Sequence, residues 1–156
     1  MKNKEHLLLR LGEVWLQSGY GEQALECFER ALNLKETPQA WAALGRCYKV
    51  KKEYRDAIEF FQKALAIDPQ YAIIYNDLAY CYFQAGQLRD AVKAMELYTR
   101  SYPKDLIALG NLAGLYESAG EKIKARLTWT KVKANTRDPQ QAALASQRLE
   151  KLKERQ

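Results

Sequence analysis

The chain has 156 residues, 47% hydrophobic and 28% charged, with a net charge of +6; this length and balance fit one globular domain and argue against a disordered or low-complexity chain. No apolar run reaches the roughly 18 residues of a membrane-spanning helix. The opening MKNKEHLLLRLGEVW lacks the long apolar core and small-residue cleavage site of a secretory signal.

Residues 4–18 read as a helix with Leu8, Leu11, Gly12 and Trp15 inward at helical spacing. Gly19-Tyr20-Gly21 turns the chain, because glycine accepts the left-handed conformation that ends helices. Residues 22–35 form the partner helix, with Ala24, Phe28 and Ala31 inward. Thr37 is suited to cap the next helix, with Pro38 at its first position. In residues 38–71, Trp41, Leu44, Gly45 and Tyr48 form one stripe, and Ala57, Phe61 and Ala64 form a second on the following helix. Gly45 and Ala57 are small enough for close approach. Asp68-Pro69 ends that pair. Its turn, Lys51-Lys52-Glu53, has lysine in place of glycine, and a slightly different bend is expected.

Residues 72–105 turn at Gly86 and end near Pro103. Their second helix has Met95 in place of an aromatic and Tyr98 where earlier pairs have Ala31 and Ala64. A tyrosine there requires a neighbour to give way, and Met95 leaves room. Residues 106–138 turn at Gly120, with Trp129 inward, Val132 at the small position and Asp138-Pro139 at the end. Residues 139–155 form a ninth helix, expected to lay Ala143, Leu149 and Leu152 on the preceding pair.

Shifted by 34 residues, the segment 38–71 falls on itself: Trp41 on Tyr75 and Leu109, Leu44 on Leu78 and Leu112, Gly45 on Ala79 and Ala113, Tyr48 on Tyr82 and Tyr116, Ala57 on Ala91 and Ala125, Phe61 on Met95 and Trp129. A shift of 33 in the other direction gives Leu8, Leu11, Gly12, Trp15, Ala24, Phe28 and Ala31. A fixed period of this size is the mark of a solenoid, and Trp41-x-x-Leu-Gly-x-x-Tyr48, Ala57-x-x-x-Phe61 and Pro69 resemble the tetratricopeptide repeat family. The resemblance spans residues 4–138. It implies an all-α fold: a right-handed superhelical solenoid of four helix pairs (about 4–37, 38–71, 72–105 and 106–138) with a C-terminal capping helix at 139–155, together one domain over 1–156. A polar-backed cap is needed because stacking leaves an apolar end face.

Cys47 and Cys81 hold equivalent places beside the apolar stripe, so they and Cys27 read as small buried hydrophobes. Without Cys-x-x-Cys spacing, and with His6 as the single histidine, neither a zinc site nor a disulfide framework is expected. The cysteine usage fits a reducing compartment, and a location in the cytoplasm, or in the cytoplasmic part of a larger assembly, is expected. No nucleophile is spaced to meet His6, and neither a phosphate-binding nor a dinucleotide-binding glycine motif occurs. The expected protein is therefore not an enzyme, with no catalytic residues, cofactor or metal.

What the resemblance implies is a protein-interaction scaffold whose first helices line a concave groove suited to a peptide segment or helix of a partner. The groove-facing positions expected are His6, Leu9, Arg10, Glu13 and Gln17, then Gln39, Ala42, Ala43, Arg46 and Lys49, then Ile73, Asn76, Asp77, Tyr80, Phe83 and Gln84, then Ile107, Gly110, Asn111, Gly114, Glu117 and Ser118. Arg46, Asn76, Asp77 and Asn111 are the expected polar contacts. Tyr80 and Phe83 are aromatics outside the core stripe, and Gly110 and Gly114, one turn apart, are expected to leave a shallow pocket floored by backbone beside Tyr80. Family members that grip the acidic tails of heat-shock chaperones use a cationic clamp. The corresponding places here hold Leu9, Glu13, Ala43, Ile73 and Asp77, or Ala42, Arg46, Asp77, Ile107 and Asn111 one repeat on. Neither set forms that clamp.

Residues 121–156 contain ten Lys/Arg and four acids, which is the whole net charge; the first 120 residues are balanced, fifteen against fifteen. Lys122–Arg155 could therefore meet nucleic acid, an anionic membrane or an acidic partner, although no aromatics interleave the cations as in single-strand binders. Two further roles fit a small scaffold of this kind: an export-type chaperone, which usually has three repeats, and self-association.

Overall fold

The computed structural model describes residues 2–154, with side chains described for 4–153. Arg155, counted above in the basic end and in the last helix, lies outside the described residues. The elements are α1 (Lys2–Gln17), α2 (Gly21–Leu34), α3 (Pro38–Val50), α4 (Tyr54–Ile67), a 3-10 turn (Ala72–Ile74), α5 (Tyr75–Gln84), α6 (Leu88–Ser101), α7 (Leu106–Ser118), α8 (Lys122–Asn135) and α9 (Pro139–Glu154). No strand occurs among the described residues. The chain forms two compact units that divide between Ala85 and Gly86, the turn after α5.

In the first unit α1 packs on α2 and α3 on α4; α2 meets α3, and α4 meets α5. The core follows the expected stripe: Ala24, Phe28, Ala31, Leu44, Ala57, Phe61 and Ala64 are all buried. Glycine makes the first two pairs close. A Cβ on Gly45 would stand 2.6 Å from Cε1 of Phe61, and one on Gly12 would overlap Phe28 further still. Thr37 caps α3 as expected. Its Oγ1 accepts from the Ala40 N–H at 3.2 Å and donates to Glu5 Oε1 at 3.0 Å, tying the cap to α1.

Three details of the first unit differ from the expectation. Leu11 is exposed and Leu9 is buried, in the cluster with Ala40, Ala43, Leu44 and Cys47. Among the described residues the first helix packs chiefly on α2 and α3, so Leu9 turns toward α3 and the Leu11 side stays uncovered. Ala42 and Ala43, expected in the groove, are buried as well. Finally, Lys52 takes φ +65°, the left-handed conformation that Gly19, Gly86 and Gly120 adopt at the other turns. The bend is therefore the same kind of bend, held by a residue with a Cβ.

In the second unit α6 packs on α7, α7 on α8, and α8 on α9. Leu109, Ala113, Trp129 and Val132 form a core that Ala145 of α9 completes, with Leu149 and Leu152 against it. The last helix thus covers the pair before it, although Ala143 is exposed and Ala145 is the residue fully buried. Tyr98 is accommodated toward the α6–α7 connection. Its hydroxyl donates to Asp105 Oδ2 at 3.1 Å and its ring lies 4.7 Å from that of Tyr102. Asp105 also caps α7, accepting from the Ala108 N–H at 2.9 Å.

Candidate functional site

Helix α5 buries Leu78, Ala79 and Cys81. Helical geometry then turns Tyr80 and Phe83, three residues apart, to the opposite face. They are 48% and 46% exposed. Tyr80 is held from one side. Its ring meets the Tyr54 ring edge-on at 6.0 Å, and the Lys49 ammonium lies 6.0 Å from its centroid. The rest of the ring and the neighbouring Phe83 face solvent, as an amphipathic aromatic patch.

The charged residues expected beside this patch already have partners within the chain. Arg46 donates to Glu13 Oε1 at 3.1 Å, joining α3 to α1. Lys49 donates to Asp77 Oδ1, joining α3 to α5. Arg46, Asp77 and Lys49 are each only about a quarter exposed in the side chain. These pairs fix the orientation of neighbouring helices more than they add stability, which for exposed pairs is about 0–1 kcal/mol. Asn76 is half-buried next to them.

On α7, in the second unit, Ile107, Asn111 and Ser118 are exposed and Gly114 is half-buried; a Cβ on Gly114 would meet nothing within 4 Å. Gly110 does not share this opening. Its missing Cβ points at the indole of Trp129, 3.5 Å away, so it belongs to the contact between α7 and α8. Glu117, another expected groove residue, accepts from Trp129 Nε1 and from Arg148 Nη1 at 3.4 Å, and so links α7, α8 and α9.

The three cysteines are buried and unpaired. Burial pushes the Cys27 thiol up and those of Cys47 and Cys81 up to about 11, so they are protonated hydrophobes and not thiolate nucleophiles. His6 is exposed. Among the described residues no cluster of three or more His, Cys, Asp or Glu could hold a metal, and no helix is long and apolar enough to cross a membrane.

The basic end is partly neutralised. Lys124 pairs with Glu121 at 2.7 Å and with Glu96 at 3.6 Å, and the hydrogen bond to Glu121 raises its pKa. Glu96 also accepts from the Tyr116 hydroxyl at 2.7 Å; burial first, and this carboxylate second, push that phenol well up. Among the described residues, no carboxylate lies within ion-pair distance of Arg126, Lys131 or Lys133. Sequence reasoning missed the apolar residues that accompany these cations: Ile123 and Leu127 are 71% and 65% exposed. Their spacing of four on a helix whose buried positions are Ala125, Trp129 and Val132 was the available signal.

Two family models, both described as tetratricopeptide repeat, match residues 9–72 and 51–112. The general transcriptional corepressor trfA of Dictyostelium discoideum is 26% identical over 133 residues, 82% of this chain and 9% of that protein, so the chain spans under a tenth of this relative's length. Among solved structures, PilF of Pseudomonas aeruginosa superposes with a TM-score of 0.82 at 24% identity, over 99% of this chain and 70% of that one. YrrB, a tetratricopeptide repeat protein with an unusual peptide-binding site, gives 0.73 at 20% identity, over 87% and 71%. The two family matches together cover residues 9–112, and the chain belongs to the tetratricopeptide repeat family, whose members generally mediate protein–protein interactions.

Proposed function

We propose that the protein is a non-catalytic interaction module that binds a peptide segment or helix of a partner protein on the exposed faces of its first helices, with Tyr80 and Phe83 of α5 as the anchor. The observation that carries this reading is the exposure of two aromatics, one turn apart, beside a network that holds its own charges. Tyr80 is fixed by Tyr54 and Lys49 and needs little ordering on binding, which lowers the entropic cost of association. Aromatic side chains of this kind supply most of the energy at many interfaces. Arg46 and Asp77 act here through their pairs with Glu13 and Lys49, which hold α1, α3 and α5 in register, and Asn76 offers an amide to a bound backbone. By the repeat register, the face of α7 with Ile107, Asn111 and Gly114 has the same role in the second unit. Trp129 takes Gly110 out of that set. YrrB shows that the fold can present a peptide site.

The test is a pull-down from host lysate with the wild-type chain and the Tyr80→Ala/Gly114→Arg variant as baits. Both positions are open enough for the variant to keep its helical circular dichroism. A protein retained by the wild type and lost by the variant supports the reading and names the partner. Equal retention by both baits overturns it.

A further inference from the structure

Helix α8 has a second, solvent-facing side of its own composition. Its sequence, KIKARLTWTKVKAN, has no acid. Ala125, Trp129 and Val132 are buried on one side. On the other, helical spacing lines up Ile123, Leu127, Thr130 and Ala134, all exposed. Lys122, Arg126 and Lys133 border this stripe on one flank and Lys124 and Lys131 on the other. The stripe carries no unmet polar group: the Thr130 hydroxyl donates to the Arg126 carbonyl at 2.8 Å, within its own helix. Thr128 does the same with Lys124, at 2.8 Å, and Asn135 donates to the Lys131 carbonyl at 2.8 Å.

We propose that this face of α8 docks on the surface of an anionic lipid bilayer, with Ile123 and Leu127 entering the headgroup–acyl boundary and Arg126, Lys131 and Lys133 meeting lipid phosphates and carboxylates. A narrow apolar stripe between two rows of cations is the arrangement that interfacial helices use, and long basic side chains can keep their charges at the headgroups while their stems follow the apolar side chains inward. The stripe is bordered by cations and not by apolar walls, so it offers a protruding knob without a seat for a partner's side chain; a bilayer accepts such a knob without a matching pocket. A nucleic acid would satisfy the cations and leave Ile123 and Leu127 in water, and no aromatic in the row offers a base a stacking surface.

The experiment is co-sedimentation of the purified chain with vesicles of phosphatidylcholine alone and of phosphatidylcholine with phosphatidylserine. The wild type is expected to pellet with the second and not with the first, and to be released by salt. Arg126→Glu/Lys131→Glu should lower binding by more than about tenfold, from the surface contribution of each cation. Ile123→Ser/Leu127→Ser should lower it by about fivefold or more through lost apolar burial. All four positions are exposed, so circular dichroism should be unchanged. Tyr80→Ala should bind vesicles like the wild type, which separates this surface from the proposed peptide site. Absence of binding to phosphatidylserine vesicles overturns the proposal. So does undiminished binding by Ile123→Ser/Leu127→Ser: contact through charge alone would make α8 a general polyanion surface, and a single-stranded oligonucleotide would then bind wild type and variant alike.

Discussion

In the first unit the rings of Phe28 and Phe61 lie directly on the backbone of Gly12 and Gly45. In the second, Trp129 lies in a core with Ala113, and the far edge of its indole reaches the Cα side of Gly110, almost one turn earlier. The repeat register places Ala113 where Gly45 stands and Trp129 where Phe61 stands. The two packings differ in tolerance. A phenyl ring seated on a helix forbids any side chain beneath it. The larger indole extends along the helix, permits alanine at the repeat position and leaves an ordinary van der Waals gap over Gly110. The glycines that look alike in the sequence therefore have opposite physical roles.

Gly45→Ala breaks that comparison most sharply. Its Cβ would fall 2.6–2.9 Å from three atoms of Phe61, a ring with no exposure. Overpacking of this kind outweighs the alanine's better helix propensity, and a loss of about 2 kcal/mol is expected in urea unfolding. Phe61→Met should make Gly45→Ala much less costly, since a flexible thioether can move aside. In a double-mutant cycle the pair should couple favourably by about 1 kcal/mol or more. Additive losses would show that the ring is not what forbids the methyl. Gly110→Ala should have the opposite sign, because its Cβ would sit 3.5 Å from Trp129 and the helix gains about 0.5–1 kcal/mol. A loss at Gly110 as large as that at Gly45 would erase the distinction between the two units.

The contrast also marks how much the sequence discloses. Periodicity placed the helices, most of the inward stripe, the cap at Thr37 and Pro38 at the first position of α3, because a helix with packed neighbours on both sides buries the residues at the repeating positions. The stripe failed at the ends, where that condition fails: α1 buries Leu9 and not Leu11, and α9 buries Ala145 and not Ala143. The site was less legible than the fold. Tyr80 and Phe83 stood out because aromatics are rare off the core stripe, and they are indeed half-exposed. That Glu13 would hold Arg46, that Lys49 would hold Asp77, and that Trp129 would reach Gly110 depends on how far particular side chains extend between helices. A 34-residue repeat carries no such information. The exposed Ile123 and Leu127 were masked by a second cause: the dense lysines around them make the segment read as a run of charge, which hides the stripe between them.

The turns extend the comparison at smaller magnitude. Gly86 and Gly120 take φ +76° and +75° without a side chain, whereas Lys52 takes φ +65° with one. A left-handed residue with a Cβ costs about 1–2 kcal/mol, and part of that is returned when glycine, with its larger unfolded-state entropy, replaces it. Lys52→Gly should therefore stabilise the first unit by about 0.5–1 kcal/mol. Lys52→Ala, which keeps the Cβ, should give none of this gain. Equal gains from both would mean that the charge of Lys52, next to Lys51, is the source of the cost and not its backbone.

A dependence on pH separates the units as well. Cys47 and Cys81 are buried in the first unit and the second has no cysteine. Burial raises both thiols from an ordinary value of 9.0 to about 11. The unfolded chain then releases these protons at lower pH than the folded one, so their contribution is fully present below pH 9 and is lost as pH rises from about 9 to 11. The urea midpoint of the wild type should fall across that window. Cys47→Ala/Cys81→Ala should start lower, from two small cavities, and decline less steeply. Tyr116, whose phenol is also raised, is present in both chains and cancels in the difference. Parallel pH profiles would show that the two thiols keep nearly their ordinary acidity, and that water reaches them in a unit whose core is otherwise closed.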